Sequence, residues 1–100
     1  MDVVNAIAKV RFASARPQRV RLGKVDPGAV DMLCMEAGQE TRIRTGPWAY
    51  YVVMGRARLT AGGDSSELPA GQMAFTDDGE THTLANAGEG RLVCLAFAPA

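Results

Sequence analysis

The chain has a single histidine, His82, and histidine is the residue type best suited to acid–base chemistry near neutral pH. Its imidazole can carry a proton or contact a bound ligand. It can equally be a buried ring whose nitrogens are satisfied by a hydroxyl or a backbone group. The acidic run just before it, Asp77-Asp78-Gly79-Glu80, is typical of a solvated turn and does not decide between the two interpretations.

A second candidate is Arg44, whose planar guanidinium can clamp a carboxylate or a phosphate if it points inward. Arg42 lies two residues earlier, so both arginines share one face of a strand and Ile43 lies on the other. Ile43 is the more natural core residue. The pattern therefore favours Ile43 inward with both arginines in solvent, and the inward clamp stays as the alternative.

Aromatic side chains are candidates for a pocket that binds an apolar or aromatic molecule. Adjacent residues of a strand face opposite sides, so they cannot all reach one cavity, and at least half are expected to pack in the core. Trp48 and Tyr50 are the two that we predict to bind a ligand. The full set is Trp48, Tyr50, Tyr51 and Phe75.

The sulfur-containing side chains are predicted to be packing residues. Cys34 and Cys94 lie in apolar runs without C-x-x-C spacing, as expected of reduced thiols in a cytoplasmic protein. A disulfide between them stays an alternative, because the sequence does not give the distance between their Cα atoms. The methionines expected to fill gaps in the core are Met32, Met35, Met54 and Met73.

Short runs of apolar and polar residues in alternation, separated by turn signals, predict an all-β sandwich or barrel. The clearest turns are Asp26-Pro27-Gly28, in which the glycine is expected to take a positive φ, and the hairpin turn at Gly62-Gly63. The segment 2–10 fits a short helix or an edge strand equally well. Predicted strands cover residues 19–24, 29–36, 40–44, 48–54, 56–60, 66–68, 72–75, 81–85 and 91–98.

The composition fits one globular domain, because 100 residues are too few for two ordinary ones. Eleven basic and eleven acidic residues give a formal net charge of +0, which favours neither nucleic acid nor an anionic membrane as a partner. A near-zero charge also allows self-association, so we expect a homodimer. No apolar run is long enough for a membrane helix, and the N-terminal residues do not resemble a secretory signal, which predicts a cytoplasmic protein.

Residues 71–86 carry Gly71, Gly79, His82 and Asn86 at the spacing of the second cupin motif, with Asp77 in place of its usual proline. Upstream, residues 38–55 have both bounding glycines of the first cupin motif. The chain therefore resembles a small single-domain cupin. The resemblance implies an all-β double-stranded β-helix, or jelly-roll barrel, over residues 19–98, with residues 1–18 as an N-terminal arm of the same domain.

The resemblance also bears on metal binding, because the cupin metal site uses two histidines and a glutamate of the first motif with the histidine of the second. In this sequence Arg44 and Gly46 take the places of the two histidines, and Trp48 or Ala49 takes that of the glutamate. Only His82 remains, and Arg44 adds a positive charge that opposes a cation. We therefore predict no cofactor and no metal, with His82 as a ligand only if a metal is present.

The leading functional hypothesis is a small cupin that binds a small organic ligand, with anionic ligands included, in the barrel and without a conventional metal site. One alternative is an enzyme that uses His82 as a general base or has a rebuilt metal site. Another is a dimeric structural or regulatory module with a filled barrel. The predicted ligand-binding residues are His82, Arg44, Trp48, Tyr50 and Asn86.

Overall fold

The computed structural model describes residues 1–43 and 47–98. It confirms the predicted all-β class: nine strands form two antiparallel sheets, and the N-terminal arm contributes one 3-10 turn at Ile7–Lys9. None of the helical segments in the described part of the chain is long and apolar enough to cross a membrane. The strands are β1 (Gln18–Val25), β2 (Gly28–Met35), β3 (Glu40–Ile43), β4 (Ala49–Met54), β5 (Arg56–Ala61), β6 (Asp64–Pro69), β7 (Met73–Phe75), β8 (His82–Asn86) and β9 (Leu92–Ala98).

The two sheets have the interleaved strand order of a jelly roll. The larger sheet has the order β1-β2-β9-β4-β7, and the smaller has the order β3-β8-β5-β6. The predicted hairpin between β5 and β6 is present: Ala61 pairs with Asp64, and Gly62 and Gly63 both have positive φ, as a type I′ turn requires. Apart from the pairs β1–β2 and β5–β6, consecutive strands lie in different sheets, so the chain crosses repeatedly between the two layers and joins them into one barrel.

The prediction that Gly28 takes a positive φ was wrong. Gly28 is not among the glycines with positive φ; it pairs with Val25 and opens β2. A Cβ atom at this position would lie 2.9 Å from the carbonyl oxygen of Ala98. The position is therefore suited to glycine because two backbones approach closely, and not because the turn needs a left-handed residue.

The barrel core lies between the two sheets and follows strict alternation along each strand. Tyr50 and Val52 of β4, Ala57 and Leu59 of β5, and Leu84 of β8 belong to it. The remaining buried members come from β2, β6, β9 and the residue before β4: Leu33, Met35, Leu68, Leu92, Cys94, Ala96 and Trp48. Burial of these apolar side chains supplies the main driving force for closing the barrel.

A second apolar cluster lies on the outer face of the larger sheet, beneath the N-terminal arm. Val10 and Phe12 of the arm pack against Met32, Cys34 and Val93. The larger sheet is thus covered on both faces, which explains why every residue from Asp31 to Met35 in β2 is buried. The alternation that marks a half-exposed strand is absent from this part of β2 because neither face meets water.

The two cysteines lie on opposite faces of the larger sheet, so they cannot form the disulfide that the sequence left open. Cys94 belongs to the barrel core and Cys34 to the outer cluster, and both are free. Burial raises the pKa of the Cys94 thiol to about 12 and also raises the pKa of Cys34. Both thiols therefore stay protonated at neutral pH, which suits packing and not nucleophilic chemistry.

The prediction that the methionines fill the core was right for two and wrong for two. Met32 and Met35 are buried, one in each cluster. Met54 and Met73 are 45% and 47% exposed, because Met54 ends β4 and Met73 begins the edge strand β7. Side chains at strand ends and sheet edges have fewer neighbours to cover them.

Candidate functional site

The candidate site is built on one row of residues across the inner face of the larger sheet. Strand pairing aligns Arg21 with Asp31, Asp31 with Ala96, and Ala96 with Tyr50. Directly opposed residues in adjacent strands point to the same side of the sheet. Ala96 carries only a methyl group, so the row leaves space between the carboxylate of Asp31 and the ring of Tyr50.

Asp31 is a buried carboxylate held by two arginines of the neighbouring strand. Its side chain is 2% exposed, the Nε of Arg19 donates to its Oδ2 at 2.6 Å, and the Nε of Arg21 donates to its Oδ1. The arginine side chains are 48% and 50% exposed, because β1 is the edge strand of the larger sheet. Two cations around one anion give this three-residue cluster a formal charge of +1.

Arg19 also covers the face of Trp48. Its Cζ atom lies 4.9 Å from the centre of the indole ring, within the range of a cation–π contact. The backbone of Trp48 is fixed in turn by Thr76. The Thr76 hydroxyl accepts a hydrogen bond from the main-chain N–H of Trp48 at 2.9 Å, and the main-chain N–H of Thr76 donates to the Trp48 carbonyl at 2.9 Å. These bonds fix the backbone that carries the indole just before β4 begins.

Beneath Trp48 lies a pair formed by Tyr50 and His82. The indole and phenol rings are stacked, with centroids 5.8 Å apart, and the Tyr50 hydroxyl lies 2.5 Å from Nε2 of His82. Nδ1 of His82 lies 3.3 Å from the carbonyl oxygen of Glu80, which can only accept. The consistent arrangement for a neutral ring is therefore a proton on Nδ1, so that Nε2 accepts the hydrogen bond that the Tyr50 hydroxyl donates.

Burial controls the ionisation of the phenol in this pair. Desolvation raises the pKa of Tyr50 strongly, and the positive charge of Arg19 opposes that shift only in part. Tyr50 therefore remains a neutral hydrogen-bond donor throughout the physiological pH range. With Tyr50 and His82 only 0% and 1% exposed, neither group contacts solvent.

Removing the Tyr50 hydroxyl tests how much this pair stabilises the fold. Tyr50→Phe leaves Nε2 of His82 buried without its donor, and we expect a loss of about 2 kcal/mol in the free energy of unfolding. The loss is measured by urea unfolding, with the fluorescence of Trp48 as the signal. Tyr51→Phe is the matched control, because Tyr51 is only half-buried and makes no side-chain hydrogen bond within the described residues. Equal losses in the two variants would contradict the assignment.

The structure brings together three of the five predicted ligand-binding residues: Trp48, Tyr50 and His82. Arg44 lies outside the described residues. Its neighbour Ile43 pairs with His82 and packs against the barrel core, while Arg42 is exposed, as the strand pattern favoured. The inward side of β3 near His82 is thus apolar.

Asn86 is separated from the other predicted residues. It lies four positions beyond His82 on β8, which places it about 13 Å away along the strand. Its Nδ2 donates to the carbonyls of Met35 and Gly90 at 3.1 and 2.8 Å, and its Oδ1 accepts from the N–H of Gly88 at 3.0 Å. These bonds fix the turn between β8 and β9, and they leave the amide little capacity for a ligand.

Sequence reasoning missed Asp31, Arg19 and Arg21. It singled out neither the two arginines of β1 nor the aspartate of β2. The available signal was a lone carboxylate within the apolar run of β2, preceded by two arginines at alternate positions of β1. A charged residue in such a run requires a partner, since unpaired charge is rarely buried.

The residues around His82 do not fit a divalent metal. In residues 1–43 and 47–98, no three side chains of histidine, cysteine, aspartate or glutamate are grouped so that they can hold an ion. Nε2 of His82 is engaged by Tyr50, and its two strand partners are the aliphatic Ile43 and Ala61. Arg19 adds a positive charge above the same stack. These donors lack the chelating nitrogen and oxygen set that a first-row metal requires.

An apolar depression of about 380 Å³ adjoins Trp48 at this end of the barrel. Its lining residues are Pro47, Trp48, Ala49, Phe75, Thr76, Phe97 and Ala98. Trp48 thus borders the depression and is also a member of the cluster that Arg19 covers. A planar organic molecule is the type of ligand that such a surface can contact.

Comparison with known proteins agrees with this architecture. The chain resembles the protein TT1209 of Thermus thermophilus, with a TM-score of 0.90 and 17% identity, covering 99% of this chain and 98% of that one. It also resembles an uncharacterized conserved protein with a double-stranded beta-helix domain from Klebsiella pneumoniae, with a TM-score of 0.85 and 21% identity over 99% and 90% of the two chains.

A cupin superfamily protein from Desulfitobacterium hafniense is similar as well, with a TM-score of 0.79 and 16% identity over 92% and 84% of the two chains. At these identities the likeness shows the fold alone. No curated protein sequence is significantly similar to the chain. The sequence model of the cupin domain matches residues 35–97, which is more than half of the chain. With its double-stranded β-helix and this match, the chain belongs to the cupin domain family.

Proposed function

We propose that this cupin binds a small organic ligand at the Trp48 end of its barrel and that it does so without a metal. The observation that carries the proposal is the ring cluster in which Trp48 stacks on Tyr50 and His82 meets both edge-on, since this cluster occupies the place where a cupin metal site would need chelating side chains. The stack presents a rigid indole beside an apolar depression. Such a surface favours ligand binding because little side-chain freedom is lost on association.

In this proposal Trp48 contacts the ligand, and Tyr50 and His82 are positioning residues. Both lie behind Trp48 and have no contact with solvent. The hydrogen bond between them fixes the phenol, and the stacked phenol fixes the indole. The alternative in which His82 acts as a general base requires direct access of a substrate to its ring, and no observation favours that access.

The test uses Trp48 as an intrinsic probe, since it is the only tryptophan of the chain. A set of small organic molecules, neutral and anionic, is titrated into the protein in the presence of EDTA. We expect at least one saturable change of fluorescence with a Kd below about 1 mM. A parallel sample is soaked in divalent metals and dialysed. Near-stoichiometric retained metal, or binding that EDTA abolishes, would overturn the proposal.

A second candidate function is a structural or regulatory module with a filled barrel. The complete burial of Tyr50 and His82 favours it, because no ligand reaches the interior past them. Phe75 is 73% exposed on the edge strand β7 and offers an apolar contact for a second copy of the chain. This candidate replaces the first if no ligand perturbs Trp48 and if Phe75→Ser converts a sedimenting dimer into a monomer.

A further inference from the structure

The arginine pair at the barrel end has donors that the fold does not use. Arg19 and Arg21 each bond Asp31 through Nε, and within the described residues the Nη nitrogens of both guanidinium groups donate to no protein acceptor. A guanidinium has five N–H donors, so most of the donor capacity of both groups remains open. Both side chains are about half exposed, which keeps these donors accessible to a solute.

A second cluster of two arginines and one carboxylate lies on the smaller sheet, and it differs from the Asp31 cluster in the exposure of the carboxylate. Arg56 and Arg58 of β5 both bond Glu67 of β6, again as two arginines at alternate positions around one carboxylate. There the carboxylate is itself 45% exposed, so water competes for the ions and salt screens their attraction. Asp31, by contrast, is only 2% exposed and bonds both of its arginines. One of them, Arg19, also contacts the indole ring of Trp48.

A second, independent polar group lies beside this cluster. Nε1 of Trp48 is buried and has no hydrogen-bond partner within the described residues, although Trp48 is only 6% exposed. Buried N–H groups are rarely left without an acceptor, because the loss costs about as much as a hydrogen bond. The indole that carries this N–H is the ring that Arg19 covers. The open polar groups named here are thus all donors, and the cluster of Arg19, Arg21 and Asp31 has a formal charge of +1.

From these observations we infer that Arg19 and Arg21 bind the carboxylate of a monoanionic organic ligand. The inference rests on the proposed function and names the chemical class of its ligand. One carboxylate neutralises the net charge of +1 and accepts hydrogen bonds from the unused Nη groups, a geometry that suits guanidinium and carboxylate. Asp31 is a positioning residue, since it holds Nε of both arginines and so directs the remaining donors away from itself.

The experiment compares benzoate with benzamide, which have the same shape and differ in charge, by titration against Trp48 fluorescence. We expect benzoate to bind at least about tenfold more tightly than benzamide. Arg21→Gln is the main variant because Arg21, unlike Arg19, does not contact the indole that reports binding. It should remove most of the preference for benzoate and leave the affinity for benzamide unchanged. Arg21→Lys, which keeps the charge and loses the planar fork, should lie between the two.

Arg58→Gln is the matched control, because it removes an arginine from the equivalent cluster around Glu67. It should bind both compounds as the unmodified protein does. Thermal unfolding of each variant establishes that it is folded at the temperature of the titration. Inorganic phosphate is titrated as a further arm, and binding tighter than that of benzoate would overturn the assignment of a carboxylate.

The outcomes separate this inference from the proposed function. Equal affinities for benzoate and benzamide, or an unchanged benzoate affinity in Arg21→Gln, would overturn the inference while the proposed function stands. The inference also fails if neither compound gives a saturable response while the wider screen finds a neutral ligand. If no small molecule at all perturbs Trp48, both fail together.

Discussion

Replacing Gly55 with alanine is expected to destabilise the protein by about 3 kcal/mol, although Gly55 lies in an exposed turn between β4 and β5. Gly55 has a φ of 89°, a left-handed conformation that an alanine adopts only at a cost. A Cβ atom there would also collide with the carbonyl oxygen of Arg91 and lie 3.1 Å from Cα of Leu92. Both atoms belong to the backbone at the start of β9, so neither can move without distorting that strand.

Gly38→Ala is the control that separates the two contributions. Gly38 has a nearly identical φ of 83°, but no atom lies within 4 Å of the position of its added Cβ. It should therefore show only the conformational penalty, about 1 kcal/mol. Urea unfolding of both variants, followed by far-UV circular dichroism, gives the two free energies. Similar losses of unfolding free energy in Gly55→Ala and Gly38→Ala would show that the close approach to Arg91 does not contribute to the destabilisation.

These glycines also show why the fold was accessible from the sequence. The four glycines of the two cupin motifs, Gly38, Gly55, Gly71 and Gly79, all have positive φ. The requirement at each is local, because it concerns the dihedral angle of one residue. Turn residues and strand alternation are local in the same sense, so the order and approximate limits of the strands follow from sequence patterns.

The face assignment of β1 is a case in which local reasoning fails. The pairing of Val25 with Gly28 and of Gly23 with Val30 sets a register that, if continued, would place Leu22 opposite Asp31. A bulge between Arg21 and Gly23 shifts the pairing by one residue and places Arg21 there instead. A shift of one residue moves every side chain to the other face of the sheet. Gly23 inside β1 marks this bulge only weakly, and it does not tell which face of the sheet the arginines take.

The predicted site shows the same limit for side chains. Trp48, Tyr50 and His82 were predicted as ligand contacts on separate grounds, and they meet because all three point into the barrel. What the motifs do not encode is that the Tyr50 hydroxyl engages His82, or that Asn86 bonds the turn after β8. Those contacts join residues that are far apart in sequence or depend on one rotamer. Whether a polar residue serves the fold or a ligand was therefore open until its partners were known.

Removing the buried carboxylate is expected to have the second large effect on stability. Asp31→Ala leaves Arg19 and Arg21 without their common partner beside a largely buried ring. Breaking a buried ion cluster costs about 3–5 kcal/mol when the remaining charge has no access to water. Here both arginines are about half exposed and can turn outward, so we expect a smaller loss of about 2 kcal/mol in urea unfolding.

The matched control for this loss is Glu67→Ala, which removes the carboxylate of the equivalent cluster of Arg56 and Arg58. Salt bridges to Glu67 hold the pKa of that carboxyl below its usual range, yet the group is exposed to solvent. Water and salt replace such a partner readily, so its removal should change the unfolding free energy little. If Glu67→Ala destabilises the protein as much as Asp31→Ala does, the burial of Asp31 adds nothing to the stability of its ion cluster. The arginines of β1 would then be ordinary surface charges, with no pre-organised donors for a ligand carboxylate.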